Sequence, residues 1–124
     1  MWESAGVVRD RKGLEDGLRR LGDVRSAMQG LEVRPDMAGY DDVAHAFDLA
    51  AMVDTAQATL VGALAREESR GCHQRTDFPE TDKALRVNFT VAADGAVGRL
   101  EIPETAPALV AMTRELEVAG RLLE

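Results

Sequence analysis

The stretch REESRGCHQRTDFPE, residues 66–80, separates an alanine-rich helical pattern from a run that alternates apolar and polar residues, so its reading decides how the two pack. Gly71 permits the preceding helix to end in a left-handed residue, and Pro79 forbids its continuation. Glu67, Glu68, Arg70, Arg75 and Asp77 interleave opposite charges over about a dozen positions. Such a pattern suits a set of ion pairs pinning an irregular segment to a surface. On these grounds residues 69–82 form a helix-terminating turn rich in paired charge.

The chain before this turn repeats apolar residues at helical spacing. Leu14, Leu18, Leu21, Met28 and Leu31 line one face of a first helix over 11–31, with Asp10 placed as its cap. Pro35 and Gly39 break the pattern, and Asp41 and Asp42 are placed to cap the next helix. That second helix, over 41–68, carries Phe47, Leu49, Met52, Val53, Leu60, Val61 and Leu64 on more than one face. A helix apolar around most of its circumference packs against several neighbours, so it reads as the central element.

Beyond the turn the period changes to two. Leu85, Val87, Phe89 and Val91 alternate with polar residues, and Asp94-Gly95 is a favoured pair for a two-residue hairpin turn. A hairpin over 85–102 with that turn sets Phe89 opposite Leu100 and Val87 opposite Ile102 on the inner face. Thr90 then meets Arg99, and Asn88 meets Glu101, outside. After Pro103, with Pro107 suited to a first turn, Leu109, Met112, Leu116, Ala119 and Leu123 return to helical spacing. A third helix is expected over 106–123. The expected fold class is mainly α: a three-helix bundle in one domain over 1–124, with a small β-hairpin between the second and third long helices.

Composition narrows the function classes. The 124 residues are 45% apolar, enough for one small core, and 22 acids against 15 lysines and arginines give a formal charge of −7. That sign repels nucleic-acid phosphates and anionic lipid headgroups, so neither nucleic acid nor direct membrane insertion is expected. No apolar run approaches the ~20 residues of a membrane span, and the first residues lack the order of a secretory signal. The expectation is a soluble, cytoplasmic protein. A single cysteine, Cys72, excludes an internal disulfide and a multi-thiolate metal site.

Reactive constellations are sparse. Cys72 adjoins His73, but neighbours in an extended segment point to opposite sides, so the two make a poor nucleophile pair. His45, early in the second helix, reads as a partly buried or capping histidine. The histidines, the cysteine and the scattered acids lack metal-ligand spacing, and no Gly-rich phosphate loop follows a strand. No catalytic, cofactor-binding or metal-binding residue is therefore expected in this chain.

Two stretches carry a resemblance. ALAREESRGCHQRTDFPETD, residues 63–82, resembles the signature A-x-x-R-x-E-S-R-G-x-H-x-R-x-D-x-P found in the C-terminal domain of the succinate dehydrogenase, fumarate reductase and L-aspartate oxidase flavoprotein family. The match runs through Arg66, Glu68, Ser69, Arg70, Gly71, His73, Arg75, Asp77 and Pro79 without a gap. MWESAGVVRDRKGLEDGLRRL, residues 1–21, resembles the opening of the same domain. The two cover the first two thirds of the chain, and the hairpin and third helix rest on periodicity alone.

The resemblance implies a spectrin-repeat-like helical domain that packs on the FAD-binding and capping domains of a larger FAD-dependent oxidoreductase. The flavin contacts and catalytic residues would lie upstream, so FAD belongs to the parent protein and the isolated chain is inert. The motif residues would form an interdomain turn, with His73 in its polar network. The M-W opening, and DFPETD without a following N-W-x-K-H, tilt the resemblance toward L-aspartate oxidase, which makes iminoaspartate for NAD synthesis. A succinate dehydrogenase or fumarate reductase flavoprotein subunit is the next member, and there the domain can also face an iron–sulfur subunit. The second expectation is a freestanding acidic protein-interaction module with the same fold, and the third is a small enzyme using Cys72. Exposed faces on the first two helices would also let the isolated domain self-associate.

Overall fold

The computed structural model describes residues 2–34, 36–37 and 39–112. In chain order it forms α1 (Trp2–Ala5), β1 (Val8–Arg9), α2 (Arg11–Met28), α3 (Tyr40–Ala65), β2 (Gln74–Arg75), a 3-10 turn (Lys83–Leu85), β3 (Val87–Val91) and β4 (Val97–Glu101). Residues 107–112 are helical, and the rest of the expected third helix lies outside the described residues. The architecture is a mainly α helical bundle carrying a small hairpin.

α2 starts where the sequence places it, because the Asp10 side chain accepts from the Gly13 amide at 2.7 Å and satisfies one of the helix's orphan donors. Its 3–4 spacing turns Leu14 fully inward, with Leu18 and Leu21 partly covered, against Leu60 and Ala63 of α3. Full burial of Leu14 and Leu60 contributes roughly 2 kcal/mol each. Gly17 lets α1 approach closely: a Cβ there would sit 2.7 Å from the Cβ of buried Ser4. The helix stops at Met28, short of the expected 31, and leaves Leu31 half exposed in the following loop.

α3 is the central element, touching α1, α2, β3 and β4. Its apolar girth is matched by neighbours at Val53, Ala56, Leu60 and Ala63, but Phe47 and Met52 stay 75% and 66% exposed. The cap differs from expectation. Gly39 occupies the N-cap position without a side-chain bond, and Asp41 and Asp42 fall inside the first turn, where their charge complements the helix dipole. Asp42 pairs with Arg34 at 3.0 Å. His45 is exposed, not partly buried. α3 ends at Ala65, short of the expected 68, because Arg66 turns to extended backbone at φ −86° and ψ 94°.

The hairpin forms where expected but one residue out of register. Phe89 faces Arg99, Val87 faces Glu101, Asn88 faces Leu100 and Thr90 faces Gly98. The cause is the loop. Gly95 N–H donates to the Ala92 carbonyl and Ala92 N–H to the Ala96 carbonyl, so three residues, not two, lie between the strands. Gly95 alone takes positive φ, +85°, which is the type I turn followed by a left-handed bulge residue. Because side chains alternate with period two, the slip moves Leu100 to the outer face beside Asn88 and puts Arg99 over the Phe89 ring, 5.6 Å from its centroid.

Candidate functional site

Residues 66–82 leave α3 and fold into a clasp built on two buried charges. Glu68 is fully buried, and four donors meet it. Arg66 Nη1 donates to Oε1 at 2.5 Å; Arg70 Nε and Nη2 donate to Oε1 and Oε2 at 3.0 and 2.9 Å; the Asp82 amide donates to Oε2 at 2.9 Å. Burial alone would push this carboxyl up, but the hydrogen bonds from Arg70, Arg66 and the Asp82 amide outweigh it and hold the pKa at about 2. Arg66 reaches on to the hairpin, donating to the Leu85 carbonyl at 2.9 Å and the Val87 carbonyl at 2.7 Å, with its guanidinium 4.7 Å from the Phe89 ring centroid. Glu68 and Arg66 thus join the end of α3 to the hairpin.

Arg75 is the second buried charge, its side chain inaccessible to water. One edge of its guanidinium grips Asp77 bidentately, Nε to Oδ1 and Nη2 to Oδ2, both at 2.7 Å. Its Nη1 donates to the carbonyls of Ala63 and Arg66 at 2.9 and 3.1 Å. These belong to the orphan carbonyls that a helix end leaves unpaired, so Arg75 caps α3 from beyond the clasp's first turn. The hydrogen bonds from Arg75 hold Asp77 well below the usual carboxylate range. Asp77 Oδ2 also accepts from the Arg11 amide at 3.0 Å, the first residue of α2. One arginine–aspartate pair therefore ties the C-terminus of α3 to the N-terminus of α2.

Smaller groups lock the path between them. Ser69 Oγ donates to the Phe78 carbonyl at 2.9 Å and accepts from the Arg75 amide at 2.8 Å. Arg70 and His73 exchange backbone hydrogen bonds of 2.8 and 3.0 Å, closing a tight turn over Gly71 and Cys72. Gly71 does have positive φ, +56°, while Cys72 keeps negative φ. Its role differs from the expected helix cap: α3 has already ended at Ala65, and Gly71 is the first corner of this two-residue turn, an ordinary site for glycine. Pro79 is exposed on the outer side of the clasp.

His73 and Cys72 do not face each other's chemistry. The His73 ring is half-buried with Nε2 3.1 Å from the Arg66 carbonyl, so Nε2–H donates there. Burial, with the Arg9, Arg75 and Arg66 charges, lowers its pKa against the opposing effect of that carbonyl. Cys72 is exposed, and its carbonyl accepts from Arg9 Nη2 at 3.4 Å. Among the described residues no group of three His, Cys, Asp or Glu side chains gathers as metal ligands.

The structure brings together Arg66, Glu68, Ser69, Arg70, Gly71, His73, Arg75 and Asp77 in one network centred on buried Glu68 and Arg75, with Gly71 at its exposed corner. It adds residues that the motif reading leaves out. β1 runs parallel to β2, with Gln74 N–H donating to the Val7 carbonyl and Thr76 N–H to the Arg9 carbonyl, both at 3.0 Å. Arg11 forms an ion pair with Glu67. The signal for this contact was the second matching stretch, residues 1–21, which supplies both Arg9 and Arg11.

The family description "Fumarate reductase flavoprotein C-term" matches residues 1–117. The fumarate reductase flavoprotein subunit of Mycobacterium tuberculosis is 37% identical over 107 residues, covering 80% of this chain and 17% of that protein. The succinate dehydrogenase flavoprotein subunit of Rickettsia felis is 26% identical over 117 residues, covering 94% of this chain and 20% of that protein. The FrdA chain of E. coli quinol fumarate reductase superposes with a TM-score of 0.73 at 22% identity, over 86% of this chain and 20% of that one, and shares the fold. The chain belongs to the family of C-terminal domains of fumarate reductase and succinate dehydrogenase flavoproteins. It spans 17% and 20% of the length of the two relatives. No helix among the described residues is long and apolar enough to cross a membrane.

Proposed function

We propose that this chain serves as the C-terminal structural domain of an FAD-dependent oxidoreductase, packing on its FAD-binding and capping domains and holding no catalytic group itself. The observation that carries the reading is the clasp. Its ionised groups are consumed in tying α2, α3 and the hairpin together, an arrangement suited to rigidity and unsuited to proton transfer at neutral pH. The outer corner of the clasp, Gly71, Cys72 and Gln74, is exposed and serves as the interdomain turn. Exposed Phe47 and Met52 on α3 supply apolar area for the missing domains to cover.

The names of the relatives favour a succinate–fumarate enzyme. In that setting an iron–sulfur subunit is a further partner, and the location is cytoplasmic, reaching the membrane only through a complex. A second reading, L-aspartate oxidase, is supported by the M-W opening and by DFPETD lacking a following N-W-x-K-H.

An antibody raised against this chain tests the proposal by capture from the source cells. The expected product is a polypeptide several times longer than 124 residues, with a flavin spectrum and dye reduction driven by succinate. Dye reduction by L-aspartate instead selects the second reading. A colourless product of this length overturns the proposal in favour of a freestanding interaction module.

A further inference from the structure

We propose that β4 is a self-complementary pairing edge through which two copies of this chain join their hairpins into one four-stranded antiparallel sheet. The hydrogen-bond phase of the hairpin makes the edge available. Ala92 turns both its amide and its carbonyl toward β4 at the loop, its N–H donating to the Ala96 carbonyl and its carbonyl accepting from Gly95 N–H. Alternation then makes Thr90–Gly98 and Asn88–Leu100 the hydrogen-bonded pairs, and turns the amides and carbonyls of Val97, Arg99 and Glu101 outward. The same phase turns Val87 outward on the other edge, where its carbonyl is taken by Arg66. No such partner covers β4: it pairs only with β3 among the described residues, and all five of its residues are exposed. An uncovered edge of this kind is a template for another strand.

Charge selects the occupant and the register. An antiparallel copy centred on Arg99 sets arginine against arginine, and one centred on Glu101 sets glutamate against glutamate. A copy centred on Leu100 places Arg99 opposite Glu101 of the second copy, twice, and Leu100 against its own counterpart. This register also satisfies the backbone, since Arg99 and Glu101 both turn their amides and carbonyls outward and can exchange them as a hydrogen-bonded pair. On the other face Leu100, 59% exposed, and Ile102, 44% exposed, are covered by the same face of the second copy. Neither Arg99 nor Glu101 has an ion-pair partner among the described residues. The one-residue slip in the hairpin creates this surface, because it moves Leu100 from the inner face to the outer. The inference rests on the hairpin alone and stands apart from the oxidoreductase reading.

A five-residue edge buries less than a standard interface, so the dimer is weak and reversible. Sedimentation velocity on the 124-residue chain tests it, with far-UV circular dichroism to verify that each variant is folded. The expected result is a monomer–dimer equilibrium with a dissociation constant below about 1 mM. Arg99→Glu or Glu101→Arg alone weakens it about tenfold by placing like charges opposite, and the double exchange restores it. Glu101→Pro, which removes an outward amide and leaves the bonds to β3 intact, also weakens it. A monomer at every concentration up to about 1 mM overturns the proposal. So does a dimer indifferent to these changes, which would sit elsewhere, or single exchanges that the double exchange does not rescue.

Discussion

At the scale of single residues, the clasp divides positions that resemble each other in sequence into those that carry structure and those that do not. Gly71 and Cys72 are neighbours in one exposed turn, yet only Gly71 holds a backbone angle that a side chain disfavours. Gly71→Val is expected to cost about 1–2 kcal/mol through left-handed strain, while Cys72→Ser stays within about 0.5 kcal/mol. Urea unfolding of the two variants beside wild type measures both. A Cys72→Ser variant as unstable as Gly71→Val would assign the thiol a packing role that its exposure denies. The residue types of the site were legible from their order in residues 66–80, but their depth was not. A sequence displays alternating charge and cannot say that Glu68 and Arg75 lose all contact with water, because burial depends on what α2 and the hairpin bring over them.

At the scale of elements, two local devices set where helix and strand begin. Asp10→Ala removes the bond to the Gly13 amide and is expected to cost about 1 kcal/mol. Removing Asp41 changes stability by a few tenths of a kcal/mol, since a residue inside the first turn acts through the helix dipole and not as a cap. Thermal melts of the two variants give the comparison, and equal losses would return capping to the acids at the start of α3. The helices were legible because 3–4 spacing and an N-cap residue act locally. The hairpin register was not: Asp94-Gly95 fits both a two-residue and a three-residue loop, and only burial of one face of β4 would have chosen between them. All of β4 is exposed, so the apolar pattern of Leu100 and Ile102 offered a false guide. The two-residue strands β1 and β2 are too short to show any period, which hid the parallel contact that joins the start of the chain to the clasp.

At the scale of the whole molecule, the clasp makes the separate helix ends and the hairpin one cooperative unit, and it does so with ionised groups. The isolated chain is therefore expected to leave the absorption and fluorescence of added FAD unchanged; a bound-flavin spectrum would place a cofactor site within it. Acid should loosen the unit in a defined window. Glu68 has a folded pKa of about 2, depressed from 4.5, so its contribution is fully present above about 4.5 and fades as the pH falls toward 2. Glu68→Gln leaves Arg66 and Arg70 without their shared counter-charge and is expected to cost about 3 kcal/mol at pH 7. The most direct test of the clasp is the difference in unfolding free energy between wild type and Glu68→Gln, followed from pH 7 to pH 2. The expected gap is constant down to about pH 4.5 and then shrinks as wild type loses its ionised Glu68. No gap at pH 7, or a gap that does not change with acid, would contradict the claim that a buried glutamate holds this domain together.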